Sequence, residues 1–306
     1  MKASSTEGTL EVWSEFSLDQ TLDASFTLPL FDKIGDKYVK SYGRSRGLKI
    51  WIEGGSLKFK GGSLLEATRL SGAWFNPHYE IQTVGRNARN ILEKFLEFFP
   101  GLGISIDPWD KIAILYTVFL SRNTDYHNNT VRWMKKILKM ASTEEKLSSV
   151  NLDYVGNSYQ LRQLKEVKDE ITSLYYLNDF EKMNMLGEFL DIRKKMLSIK
   201  YCGPKVVHGW GLFSLGLSNL SQVDRHLLYI GKYLGIISPK YKTPVKTLCM
   251  KSRCFLDRDC RILGECITYN LFRLFGYVAG WFQTAAYLYG AEYLCRGKDP
   301  LKLIKK

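Results

Sequence analysis

The chain has 306 residues, 45% hydrophobic and 13% aromatic, with 44 Lys and Arg against 31 Asp and Glu, a formal net charge of +13. That composition fills a core and excludes intrinsic disorder, while the basic excess asks for an anionic partner, either nucleic acid or an acidic membrane surface. The longest apolar run, Ile112 to Leu120, is nine residues, where a membrane-spanning helix takes about 20; Met1-Lys-Ala-Ser-Ser-Thr-Glu-Gly leads into no apolar stretch of a secretory signal, so a soluble, intracellular protein is expected.

Up to about residue 85, short apolar or alternating runs (Leu10–Phe16, Leu48–Ile52, Ser56–Phe59) are separated by Gly54-Gly55 and Gly61-Gly62. That is the pattern of strands and hairpins. Helical spacing takes over at Ile91, Phe95 and Phe98, which predicts a helix near 85–98. Pro100-Gly101-Leu-Gly103 interrupts it, and Asp107-Pro108 reads as the N-cap and first-turn proline of a second helix. The body of that helix, Trp109 to Leu120, is apolar nearly all round and should be central. Further helices are predicted near 128–140, 159–174, 179–186, 188–198, 204–216, 222–234, 262–274 and 277–294. The architecture expected is α+β: an antiparallel β domain over residues 1–100 and a helical domain over 101–306. The charge follows the same division. Residues 1–100 carry 13 basic and 12 acidic side chains, and residues 101–306 carry 31 and 19, so the anion-binding face belongs to the helical part. No basic amphipathic helix supports the membrane reading.

The chemistry concentrates in Leu197-Ser-Ile199-Lys200-Tyr201-Cys-Gly203-Pro-Lys205. One helix ends near Ile199 and another starts near Pro204, whose outward amide groups suit a phosphate. Asp224 follows Lys205 by nineteen residues, at the start of the next helix. A lysine amine attacks carbon only when neutral, and burial or neighbouring cations such as Arg225 lower its pKa. A nearby carboxylate accepts a proton or stabilises a developing sugar cation. For an arbitrary pair at this spacing, a solvated lysine and a capping aspartate are the commoner arrangement.

The hairpin, Lys205 and Val223-Asp224-Arg-His226 resemble the helix-hairpin-helix DNA glycosylases. Three further stretches are similar to the 8-oxoguanine DNA glycosylase/AP lyase branch. Phe16-Ser-Leu18-Asp19-Gln-Thr-Leu22 resembles the first strand of its β domain. Asp107-Pro108-Trp109 through Leu120-Ser121-Arg-Asn123-Thr124 resembles its first core helix and the loop behind it. Phe275-Gly276-Tyr-Val-Ala279-Gly280-Trp281-Phe-Gln283-Thr-Ala-Ala-Tyr287 resembles its base-reading C-terminal helix.

The resemblance implies an enzyme that extrudes and excises oxidised purine from duplex DNA through a lysine Schiff base and nicks the strand by β-elimination. It implies a DNA-associated monomer. Lys205 matches the nucleophile and Asp224 the activating aspartate. Gln283 and Tyr287 match the readers of the extruded base, Asn123 the side chain that fills the vacated space, and His226 and Gly203 the phosphate grip. Extrusion, a filler and a pocket with an aromatic face and an amide reader form a coherent set. The alternatives are a glycosylase for a different damaged base and a non-catalytic hairpin module, which needs neither Lys205 nor Asp224.

This sequence also departs from the pattern. Tyr201 replaces the hairpin's first glycine, leaving the tight bend to Gly203, and Lys200 replaces a proline, adding a phosphate contact. Ser25 stands where a glycine carbonyl reads the lesion. Gly209 replaces a pocket cysteine, leaving that face to Phe213 or Trp210, and Trp281 is a second candidate for the wall. Asn128 and Gln160 replace two arginines that clamp the opposite cytosine, so weak discrimination for cytosine is expected.

Cys249, Cys254, Cys260 and Cys266 cluster in sequence. The endonuclease III branch holds an iron–sulfur cluster with four cysteines, but its spacing is tighter and includes a pair two residues apart that is missing here. No cofactor, iron–sulfur cluster or zinc site is expected. His78, His127 and His208 lack metal-ligand spacing and read as hydrogen-bonded structural residues.

Overall fold

The computed structural model describes residues 6–176, 186–298 and 300. The N-terminal part is a sheet of β1 (Glu7–Glu11), β2 (Phe31–Ile34), β3 (Lys37–Lys40), β4 (Lys49–Glu53) and β5 (Ser56–Lys60). The strand order is β1-β5-β4-β3-β2, every pair antiparallel. The β4–β5 hairpin closes at Glu53↔Ser56 through Gly54 and Gly55, at φ 59° and 78°. Two consecutive left-handed residues are what a tight hairpin turn requires, and glycine adopts them without a Cβ clash. Along β5, Leu57 and Phe59 turn into the core.

The first expected strand is corrected in two ways. β1 lies earlier than Leu10–Phe16, and Phe16–Leu22 does not form a strand. Leu18–Asp23 is a helix, α1. Ser17 caps it by accepting from the Gln20 amide, and Leu18, Thr21 and Leu22 are buried at helical spacing. A cap followed by that spacing outweighs the short-range alternation.

The remaining helices are α2 (Leu64–Ser71), α3 (Pro77–Glu80), α4 (Arg86–Phe98), α5 (Lys111–Leu120), α6 (Arg132–Met140), α7 (Tyr159–Ser173), α8 (Leu186–Ser198), α9 (Pro204–Leu215), α10 (Arg225–Tyr233), α11 (Lys246–Lys251), α12 (Ile267–Phe275) and α13 (Ala279–Glu292). The expected helix at 179–186 falls outside the described residues except for its last position. The one expected at 128–140 begins as a π-turn over Tyr126–Val131, and α10 and α12 start later than expected, at Arg225 and Ile267. α11 had no expectation. α5 is buried at every position and packs between α7 and α9. It begins at Lys111 because Asp107 Oδ1 accepts from the Trp109 and Asp110 amides, folding that stretch into a turn.

The sheet joins the helices through polar groups. Lys40 points inward from β3, and its fully buried ammonium lies 2.7 Å from Asp107 Oδ2 and also pairs with Asp110. Ser25 Oγ donates to the Ser105 carbonyl at 2.9 Å, and Trp281 Nε1 donates to the Leu102 carbonyl at 2.8 Å. α4 packs on α12 and α13, with the Phe95 ring 5.2 Å from Phe282. A single connected apolar core runs from the sheet through the helices. No helix among the described residues is long and apolar enough to cross a membrane.

Candidate active site

α8 and α9 flank the hairpin. Its left-handed residue is Tyr201, at φ 65°, whereas Gly203 is the extended N-cap of α9 at φ −106° and ψ 174°. The bend expected of Gly203 is therefore made by Tyr201. A left-handed non-glycine residue costs about 1–2 kcal/mol, and bonds from three directions hold this one. Arg122 Nη1 donates to the Tyr201 carbonyl at 3.0 Å, the Tyr201 hydroxyl donates to Glu166 at 2.8 Å, and Lys246 Nζ donates to the Ile199 carbonyl at 2.8 Å. Lys200 Nζ lies 2.8 Å from the same Glu166 oxygen.

Beside the hairpin lies a cavity of about 650 Å³. Lys205 and Phe213 enter it from α9, Asp224 and His226 from the start of α10, and Gln283 and Tyr287 from α13. Asn123 and Asn128 reach it from the loop after α5, and Asp23, Ala24 and Phe26 from the end of α1 and beyond. Spacings of four along α13 and eight along α9 place each helix's contributions on one face. The cavity walls do not include Gly203, Lys200, Tyr201 or Ser25.

Lys205 is partly buried, and its pKa is lowered chiefly by that loss of solvent, with Arg225 and Arg122 pushing the same way and Asp224 opposing. The direction favours a neutral amine. Asp224 is the N-cap of α10, with Oδ1 accepting from the Leu227 amide at 2.8 Å, which fixes the carboxylate beside the lysine. Burial also lowers the pKa of His226, aided by Arg225 and Lys205 and opposed by Asp224. The neutral imidazole accepts from Arg225 Nε at 3.3 Å. Gly290 makes room for it: a Cβ there would lie 1.9 Å from His226 Nδ1.

The aromatic wall is a chain of edge-on rings. His226 stands 5.8 Å from Tyr287, Tyr287 6.4 Å from Tyr126, Tyr126 5.5 Å from Phe26, and Phe26 4.9 Å from Phe213. Gln283 is 4% exposed, and its Oε1 has no hydrogen-bond partner. A buried acceptor left open in a cavity wall is a site for a ligand donor.

Several expectations are corrected. The Ser25 carbonyl accepts from the Tyr126 hydroxyl at 2.5 Å and its Oγ is bonded to Ser105, so Ser25 turns away from the cavity while Ala24 and Phe26 face it. Trp210 and Trp281 are core residues, each 0% exposed, and Trp210 Nε1 donates to the Lys111 carbonyl at 2.9 Å. Gln160 is buried, with Nε2 donating to the Arg122 carbonyl at 2.9 Å; it supports the Asn123 loop from behind. Asn123 itself is left-handed at φ 49°, a conformation asparagine tolerates.

Among the cavity residues missed from the sequence are Asp23, Phe26, Tyr126 and Gln222. Burial raises the Asp23 pKa. Phe26 and Tyr126 meet across a hundred residues of chain, so no local pattern announces them; Gln222, two positions before Asp224, was a near miss. Cys249, Cys254 and Cys266 are buried free thiols and Cys260 a half-buried one, with the Cys249 thiol pushed up to about 12 by burial. Among the described residues, no three His, Cys, Asp or Glu side chains are placed to hold a metal ion.

No family model matches the chain, and no curated protein matches it in sequence. Solved structures do match. MBOgg1 in complex with a low-affinity DNA ligand has a TM-score of 0.65 at 17% identity, over 95% of this chain and 99% of that one. The Clostridium acetobutylicum 8-oxoguanine glycosylase/lyase, in complex with duplex DNA containing cytosine opposite 8-oxoguanine, has a TM-score of 0.66 at 16% identity, over 95% and 98%. The 3-methyladenine DNA glycosylase from Archaeoglobus fulgidus has a TM-score of 0.59 at 10% identity, over 92% and 98%. The α+β fold is the one these glycosylase structures share.

Proposed function

We propose that this chain is a bifunctional DNA glycosylase and AP lyase that excises 8-oxoguanine from duplex DNA in base excision repair. One observation carries the reading: a single cavity is lined by a partly buried lysine of lowered pKa, the capping aspartate that acts on its charge, and an amide with an unused acceptor. Gln283 receives a donor of the extruded base while Tyr287 and Phe213 flank its ring. Neutral Lys205 attacks the sugar C1′. The bond from C1′ to the base breaks, its electron pair leaving with the base, and Asp224 stabilises the sugar cation that develops. The resulting amine opens the sugar ring to a Schiff base, and elimination expels the 3′ phosphate. Asn123 fills the gap in the duplex, and the hairpin around Gly203 with His226 grips the backbone. Lys200 and Tyr201 reach DNA from the rim of the hairpin, where Lys200 exchanges Glu166 for a phosphate.

Borohydride trapping on an 8-oxoguanine duplex tests this. The wild type is expected to form a covalent adduct and Lys205→Gln none; a wild type that forms no adduct removes the proposal. With Gln160 committed to the Arg122 carbonyl and a neutral Asn128 at the cavity, the base opposite the lesion is gripped weakly. Excision rates should therefore be equal opposite C, A, G and T, and a hundredfold preference for C would refute this.

A second reading, excision of a different damaged base, is favoured by one specific observation. The Ser25 carbonyl, expected to distinguish the oxidised purine, is taken by Tyr126. A panel of lesion duplexes, with alkylated purines included, separates the two readings. A non-catalytic hairpin module gives no reason for the desolvated lysine.

A further inference from the structure

We propose that Gln222 is a second amide of the base pocket, determining specificity together with Gln283. The inference rests on the glycosylase reading above and concerns which bases that site accepts.

Gln222 is 3% exposed, yet it lines the cavity. It lies in the non-helical stretch that ends at the Asp224 cap, so its backbone is tied to the anchored carboxylate. Its side chain runs over α9 at Gly209. A Cβ at Gly209 would stand 3.2 Å from both Cδ and Oε1 of Gln222 and 3.0 Å from Val118 Cγ1. The amide thus rests on bare helix backbone, in a slot that any larger residue at 209 would narrow. Lys205, Gly209 and Phe213 follow one another at intervals of four along α9 and share a face. The Gln222 amide therefore packs on the face of α9 that also carries Lys205 and Phe213.

The chemistry suits a neutral base. An amide presents donors and an acceptor without net charge. A carboxylate in the same slot would hold Lys205 protonated and suppress the nucleophile. Two buried amides, Gln222 and Gln283, supply complementary hydrogen bonds on two sides of a purine that carries both donors and acceptors. A base lacking one of those groups leaves an amide unpaired, and that penalty gives discrimination.

Single-turnover excision of 8-oxoguanine and 8-oxohypoxanthine, which lacks the exocyclic amine, tests the proposal alongside strand cleavage at a preformed abasic site. Gln222→Leu should lower 8-oxoguanine excision about tenfold, the loss of one hydrogen bond, and change the ratio between the two bases, while abasic-site cleavage stays within about twofold. Gly209→Ala should shift the amide and produce the same change in ratio, and adding it to Gln222→Leu should have no further effect. Gln222→Glu should move the pH midpoint of abasic-site cleavage upward. If Gln222→Leu does not fold, Gly209→Ala and Gln222→Asn carry the same test. Excision within twofold of wild type, or excision and abasic-site cleavage falling together, overturns the role of Gln222. A wild type that excises neither base but still forms a Schiff base at abasic sites overturns the oxidised-purine reading instead.

Discussion

Two lysines withdrawn from water meet opposite fates in this molecule. Lys40 is completely buried at the join of sheet and helices, and its pKa is raised. Burial alone would lower it, but Asp107 and Asp110 together outweigh that, both in charge and as hydrogen-bond partners. Lys205 is less buried, and its pKa is lowered because desolvation, Arg225 and Arg122 outweigh a single aspartate. That aspartate is also committed to the Leu227 amide. Two carboxylates with direct bonds fix a cation, whereas one capping carboxylate flanked by guanidinium groups leaves the amine available for chemistry. The cation is kept in bounds by its neighbours: Asp110 is pushed up to about 7 by burial and Asp107, and burial raises Glu144 well above the carboxylate range.

The comparison breaks first at Asp224. Asp224→Asn should still cap α10, since asparagine accepts the same amide bond, while base excision falls about 10²–10⁴-fold. DNA affinity measured by fluorescence anisotropy should be unchanged, and unaltered turnover would remove the aspartate from its role. The structural lysine is tested next. Lys40→Met leaves Asp107 and Asp110 without their counter-ion and should destabilise the fold by about 3–5 kcal/mol in urea unfolding. Activity per folded molecule should not change, and a loss under about 1 kcal/mol would show that the cluster does not hold the two parts together. The smallest effect is a shift in pH profile. Protonation removes the Lys205 nucleophile, so Schiff-base formation at abasic sites should rise with pH and level off, with a midpoint below the ordinary lysine value of 10.5. Arg225→Ala removes a cation that disfavours the ammonium, so the midpoint should move upward and the rate at neutral pH should fall. A midpoint that stays put would assign the lowered pKa to burial alone.

The candidate site was expected from a resemblance carried by short local stretches, and the fold brings Lys205, Asp224, Gln283 and Tyr287 into one cavity. Asp224 caps α10, Gln283 and Tyr287 sit four apart on α13, and Lys205 follows a proline that opens α9; each is a pattern within one helix. The hairpin was legible as a turn but its strained residue was not, since Tyr201 keeps its left-handed backbone through Glu166 and Arg122, which lie far away in the chain. The strand that the resemblance implies for Phe16–Leu22 gives way to a helix, because Ser17 caps Leu18–Asp23 and Leu18, Thr21 and Leu22 are buried at helical spacing. Ser25 went astray for a tertiary reason, as the hydroxyl of Tyr126 took its carbonyl.

By itself the sequence determined the elements whose signals lie within a turn or two of helix, the part of the chain that carries the basic excess, and the lysine, aspartate and glutamine that are candidates for the chemistry. Tertiary structure decided which groups lose their water and which partners they meet. Solvation and Coulomb interaction depend on distance in space, and folding alone brings Lys40 to Asp107 and Asp110, Lys205 to Arg122, and Gln222 to the bare backbone at Gly209.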